Sequence, residues 1–96
     1  MDLADVLKTK RPQVLEIARQ HGAYHVRVFG SVARGEAQPG SDIDFLVEME
    51  PGRSLLDMGG LVMDFQQLLG NSVDVVTERG LKSRIRARVL AEAIPL

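Results

Sequence analysis

The stretch from Phe29 to Asp44 constrains this chain most: Phe29-Gly30-Ser31-Val32-Ala33-Arg34-Gly35, a polar connector, then Ser41-Asp42-Ile43-Asp44. The segment from His25 to Phe29 reads as a buried strand that runs into Gly30-Ser31, where the missing side chain lets backbone N–H groups approach an anion closely. Ten residues separate Ser31 from Asp42. From Asp42 to Glu48 the alternation of Ile43, Phe45 and Val47 predicts a second strand. Residues two apart in a strand share a face about 6–7 Å apart, so the two aspartates aim their carboxylates at one spot. Such a spot suits magnesium, which takes few carboxylates and completes its shell from water and substrate phosphates.

Composition narrows the partners. Ninety-six residues with 45% hydrophobic and 26% charged content support one core, and the expectation is a single domain over residues 1–96 without a second substrate-holding domain. A net charge of −1 argues against general DNA or RNA coating, which needs an excess of Lys and Arg. The absence of cysteine excludes disulfides, thiolate metal sites and a cysteine nucleophile, and makes the reducing cytoplasm the expected compartment. No segment has the pattern of a signal peptide or the length of a bilayer span, so no membrane association is expected.

Along the chain, Asp2 and Asp5 look like a cap and an acidic first turn, with Leu3, Val6 and Leu7 at helical spacing. Pro12 interrupts or restarts that helix, giving one broken helix or two short ones up to Gly22. His21 and His25 flank the turn into the first strand and share no spacing with another ligand type. After Pro51-Gly52, Ser54 can cap a helix whose Leu55, Leu56, Leu61, Val62, Phe65, Leu68 and Leu69 are expected to face inward, which Gly59 and Gly60 weaken and Gly70 ends. Ser72 to Thr77 predicts a third strand, β-branched apart from Asp74. Strand, helix, strand implies a parallel pair, which sets Asp74 beside the other two aspartates. A last helix is expected over Glu78–Ala93. Its Arg79, Lys82, Arg84, Arg86 and Arg88 form either a solvated face or a docking face for an acidic partner or RNA. The fold class is therefore α/β (α+β): a small mixed sheet of three to four strands with helices packed mainly on one face.

Gly30-Ser31, ten residues and Asp42-X-Asp44, with Arg34-Gly35 between and Asp74 beyond, resembles the polymerase-β-like nucleotidyltransferase superfamily, and within it the minimal nucleotidyltransferase (MNT) branch. The likeness runs from the helix before Gly22 to Ile94-Pro95, and no residue departs from the motif. It implies that Gly30 and Ser31 hold the triphosphate of ATP, with Arg34 and Ser41 as further nucleotide-binding candidates. It also implies that Asp42 and Asp44 bind two Mg2+ ions and that Asp74 completes the metal and catalytic site. The implied partner is a HEPN-type toxin: such proteins act as antitoxins, some of them by transferring AMP to a tyrosine of the toxin in a hetero-oligomer.

The chemistry agrees with the resemblance. In-line attack on the α-phosphorus of ATP needs one metal at the attacking hydroxyl and another at the departing pyrophosphate. Asp74 either binds the nucleophile-side metal or accepts the hydroxyl proton. Arg34 either clamps phosphate or lies on the surface. Ser31 has no adjacent base and is not a covalent nucleophile. Two other readings share these residues: a catalytically idle antitoxin that neutralises by covering the toxin, and a nucleotidyltransferase acting on a small molecule or an RNA end.

Overall fold

The computed structural model describes residues 2–96; Met1 lies outside the described residues. Pro12 restarts the first helix and does not merely bend it: α1 covers Leu3–Thr9 and α2 covers Arg11–Gln20, with Pro12 in the first turn of α2, where its missing N–H costs nothing. The Asp2 carboxylate accepts the Asp5 N–H at 2.9 Å and caps α1. β1 (Ala23–Phe29) follows, then the one-turn helix α3 (Gly30–Ala33), β2 (Ile43–Met49), α4 (Leu55–Leu69), β3 (Val73–Thr77), α5 (Ser83–Glu92) and the two-residue strand β4 (Ile94–Pro95).

The sheet order is β3-β2-β1-β4, with β2 and β3 parallel and β1 antiparallel to both β2 and β4. A mixed sheet of this size is the expected class, and the parallel pair joined by α4 is the expected crossover. Period-two alternation divides the strands between two faces. On one face Val26, Val28, Ile43, Phe45, Val47, Val73 and Val75 meet Leu7, Val14, Ala18, Leu61, Phe65 and Leu69 of α1, α2 and α4. The rings of Phe45 and Phe65 stack at its centre, 4.5 Å apart. The other face holds a smaller cluster of Leu46, Leu81 and Val89, flanked by Phe29, Val76 and Ala93, beneath α5. Helices thus lie mainly on one face, and α5 alone covers the other.

Gly59 and Gly60 neither interrupt nor delay α4, but Leu55 and Leu56 do not face inward: both are 88% exposed, because they lie off the Leu61, Phe65, Leu69 stripe that the helix buries. A capping box fixes its start: Ser54 accepts from the first-turn backbone while the Asp57 carboxylate accepts the Ser54 N–H at 2.8 Å. Gly60 has a packing reason, because the His21 ring lies where a β-carbon would stand, 2.8 Å from it. The ring's Nε2 lies 2.7 Å from Asp64 Oδ2, so His21 ties α2 to α4.

Element boundaries differ from expectation, several of them by a single residue, such as the start of β3 at Val73 instead of Ser72. β1 starts two residues early and carries a bulge between Tyr24 and Arg27, where His25 takes a positive φ of 50°. β2 starts at Ile43, not Asp42. The last helix starts at Ser83, not Glu78, because Glu78–Gly80 form a turn in which the Thr77 hydroxyl and carbonyl both accept the Gly80 N–H. β4 has no counterpart in the sequence pattern; the Leu96 N–H donates to the Val26 carbonyl and closes the β1 edge.

Candidate active site

The parallel register sets Asp44 directly opposite Asp74, and the antiparallel register sets Phe29 opposite Asp44. Lateral neighbours in a sheet point to the same side. Phe29, Asp44 and Asp74 therefore form one row across the α5 face of the sheet, with Arg27, Leu46 and Val76 in the next. Asp42 joins them from the loop before β2, not from the strand itself. That loop is braced by its own hydrogen bonds: the Ser41 Oγ accepts the Gln38 N–H at 2.8 Å, and the Asn71 amide donates to the Ser41 carbonyl at 3.3 Å. Ser41 accordingly shapes the approach of Asp42, with its own hydroxyl proton still free to donate.

Gly30 takes a positive φ of 73°, and a β-carbon there would run into the Asp44 carboxylate. Two requirements, the turn and the close approach, make this position a glycine. The α3 turn carries Ser31 to a half-buried position and ends at Arg34. A cavity of about 380 Å³ lies over these residues, lined by Gly30, Ser31, Arg34, Ser41, Asp42 and Asp44, and on its α5 side by Ile85, Arg88, Val89 and Glu92. Asp74 is exposed and is not part of this lining; it stands beyond Asp44 along the row.

Burial pushes the Asp44 carboxyl above its ordinary range, and the charges of Asp74 and then Asp42 push it further, against the pull of Arg34. Asp44 therefore lies within electrostatic reach of both other aspartates. Among the described residues no three His, Cys, Asp or Glu side chains are gathered into a ready-made metal cage. What is present is a set of hard oxygen donors around an open cavity, which fits an ion that draws most of its ligands from water and phosphate.

Two participants carry no signal in the sequence that marks them as part of the site. Glu92, the last residue of α5, accepts the Gly30 N–H at 3.3 Å and the Arg34 Nη1 at 2.9 Å. Arg34 is shared with Glu36, whose carboxylate accepts from Nε at 2.7 Å, and these two acids raise the guanidinium's pKa, Glu36 the more. Arg88 also lines the cavity, so the basic run is not wholly a solvated face. The nearest thing to a signal is the spacing Ile85, Arg88, Val89, Glu92, a helical stripe that becomes site-facing only once α5 is laid on the sheet.

The sequence profile described as "Nucleotidyltransferase domain" matches residues 11–96. The chain is 42% identical over 79 residues to the protein adenylyltransferase MntA of Thermococcus cleftensis, covering 82% of this chain and 80% of that one. It superposes with a TM-score of 0.88 on a solved structure described as a candidate minimal nucleotidyltransferase, at 55% identity over 100% of this chain and 97% of the other. A toxin–antitoxin structure with AMP-PNP shares the fold, with a TM-score of 0.75 at 20% identity over 88% of this chain and 69% of that one. The Gly30 turn, the aspartate row and these matches have one consequence: the chain belongs to the nucleotidyltransferase domain family, among its minimal members, and is a nucleotidyltransferase.

Proposed function

We propose that this chain transfers AMP from ATP to a tyrosine hydroxyl of a HEPN-type toxin in the cytoplasm, and so acts as that toxin's antitoxin. The register that stands Asp44 beside Asp74 on one sheet face, next to the turn at Gly30, carries this reading. The acceptor class is supported by the adenylyltransferase relative. A protein acceptor is a hydroxyl delivered by a second chain, in a hetero-oligomer with this one.

Gly30, Ser31 and Arg34 hold the triphosphate, through a backbone N–H, a hydroxyl and a guanidinium, and Ser41 keeps the Asp42 loop in place beside it. Asp42 and Asp44 would hold two Mg2+ ions, and the crowding at Asp44 is what divalent cations relieve. Bound there, the metal would acidify the acceptor hydroxyl and neutralise the leaving pyrophosphate. The acceptor oxygen forms its bond to the α-phosphorus as the bond to the β-bridging oxygen breaks, pyrophosphate departs, and the hydroxyl proton leaves by way of Asp74.

The test is transfer of label from α-labelled ATP, with Mg2+, to the product of the neighbouring gene. Label should appear on that protein and be lost both in Asp42→Asn and when the acceptor tyrosine is replaced by phenylalanine. Absence of transfer under every condition, with toxin still neutralised, would reduce the chain to an antitoxin that works by covering its target.

A further inference from the structure

The phosphate-facing turn already carries an anion. The Glu92 side chain is 16% exposed, and its Oε2 accepts from the Gly30 N–H and from Arg34 Nη1, while Oε1 lies 3.3 Å from the same Nη1. A backbone N–H at a glycine plus a guanidinium is the donor set that a phosphate group takes. Glu92 also stands near Asp44, adding a fourth negative charge to the site.

Two cavities meet at this carboxylate. One is the 380 Å³ space over the aspartates, and the other, of about 540 Å³, is lined by Arg34, Arg88, Ala91 and Glu92. Arg34, Arg88 and Glu92 line both, so the Arg34–Glu92 pair forms part of the wall between them. Arg88, one turn earlier on α5, is 77% exposed, with Nε 4.0 Å from Glu92 Oε1. A glutamate released from Arg34 has a cationic partner within a small side-chain movement.

Resting on the reading of Gly30 and Arg34 as triphosphate donors, we propose that Glu92 is an internal competitor for the nucleotide's phosphates. It occupies their seat in the free protein and swings to Arg88 when a triphosphate enters. Nucleotide affinity is then set partly by a residue that makes no contact with the nucleotide. A carboxylate on these donors also discriminates by charge: a triphosphate outcompetes it, whereas a nucleoside without phosphate has no reason to displace it.

The experiment is calorimetric titration of the full chain with AMP-PNP and Mg2+, with adenosine as a second arm. Glu92→Gln keeps the size of the side chain and removes its charge. It should tighten AMP-PNP binding roughly three- to tenfold, the gain left when a charged hydrogen-bonded competitor is removed from a partly exposed site, and leave adenosine binding unchanged. Glu92→Asp keeps the charge but retracts it, and should tighten binding by less; it also serves if the glutamine variant folds poorly. The Gly30 amide resonance should shift in Glu92→Gln and, in the wild type, on addition of inorganic triphosphate. Unchanged or weaker AMP-PNP binding in both variants overturns the proposal. Arg34→Gln separates the two readings: if it leaves AMP-PNP binding intact, the assignment of Arg34 to the triphosphate fails, whereas a loss there without tightening at Glu92 removes only the competitor.

Discussion

Asp44 is where sequence, burial and charge collide. Its carboxyl is raised above the ordinary 3.8 by burial and by two neighbouring aspartates. A group whose pKa is higher in the folded state favours folding fully below its unfolded value and loses that contribution as pH rises through its folded value. Asp44→Asn should therefore melt higher than wild type at neutral pH in chelator, by about 2–4 °C once solvent screening is allowed for. That advantage should vanish as pH falls through the ordinary carboxylate value of 3.8; on the proposed function Mg2+ with ATP should raise the melting temperature of the wild type, and Asp44→Asn should lose most of that rise. Thermal scans across pH, with and without ligand, check both halves. Gly30→Ala acts on the same pair from the other side: its β-carbon meets the Asp44 carboxylate at a φ of +73°, so a loss of about 1–2 kcal/mol is expected from the backbone conformation alone. Transfer activity should fall more steeply than stability does, as parallel denaturation and label-transfer assays would show.

Among the elements, α4 offers a paired test of local propensity against packing. Gly59 has open space where a β-carbon would go, and Gly60 has the His21 ring. Gly59→Ala should gain up to about 1 kcal/mol, the helix-propensity difference, whereas Gly60→Ala should lose stability despite the same propensity gain. Urea denaturation of the two variants decides it. Helix α5 shows the opposite dependence. Its amphipathic stripe is visible in the sequence, but its start at Ser83 depends on the Thr77–Gly80 turn, and the direction of its Arg88–Glu92 end depends on Val89 docking over Leu46.

At the scale of the molecule, the second layer is thin and its charge pairing matters. Arg27 is buried on the α5 face, 3.0 Å from Glu78, with one guanidinium nitrogen unpartnered among the described residues. The Glu78 carboxyl is held below its ordinary 4.5, first by its hydrogen bond from Arg27. A lowered carboxylate contributes stability that is present above the unfolded pKa and lost as pH falls through the folded one. Glu78→Gln should thus melt below wild type at pH 7, with the gap closing as pH falls below 4.5, measured by thermal melts in matched buffers. The long cores of β2, β3 and α4 are legible in the sequence because their apolar periods repeat over many residues. The bulge at His25 and the strand Ile94–Pro95 are not, since each exists only through a partner strand.

Linear order alone determined that a glycine-serine turn, two aspartates and a third would serve a sheet with a parallel crossover, because period-two alternation and β-branched runs are local properties of the chain. Only the tertiary structure decided that Asp42 reaches the site from a loop, that the register stands Asp44 directly opposite Asp74, and that Glu92 accepts from the Gly30 N–H and from Arg34. Those facts come from register and from the docking of α5, which bring together residues up to 62 positions apart, and no local pattern records a contact of that length.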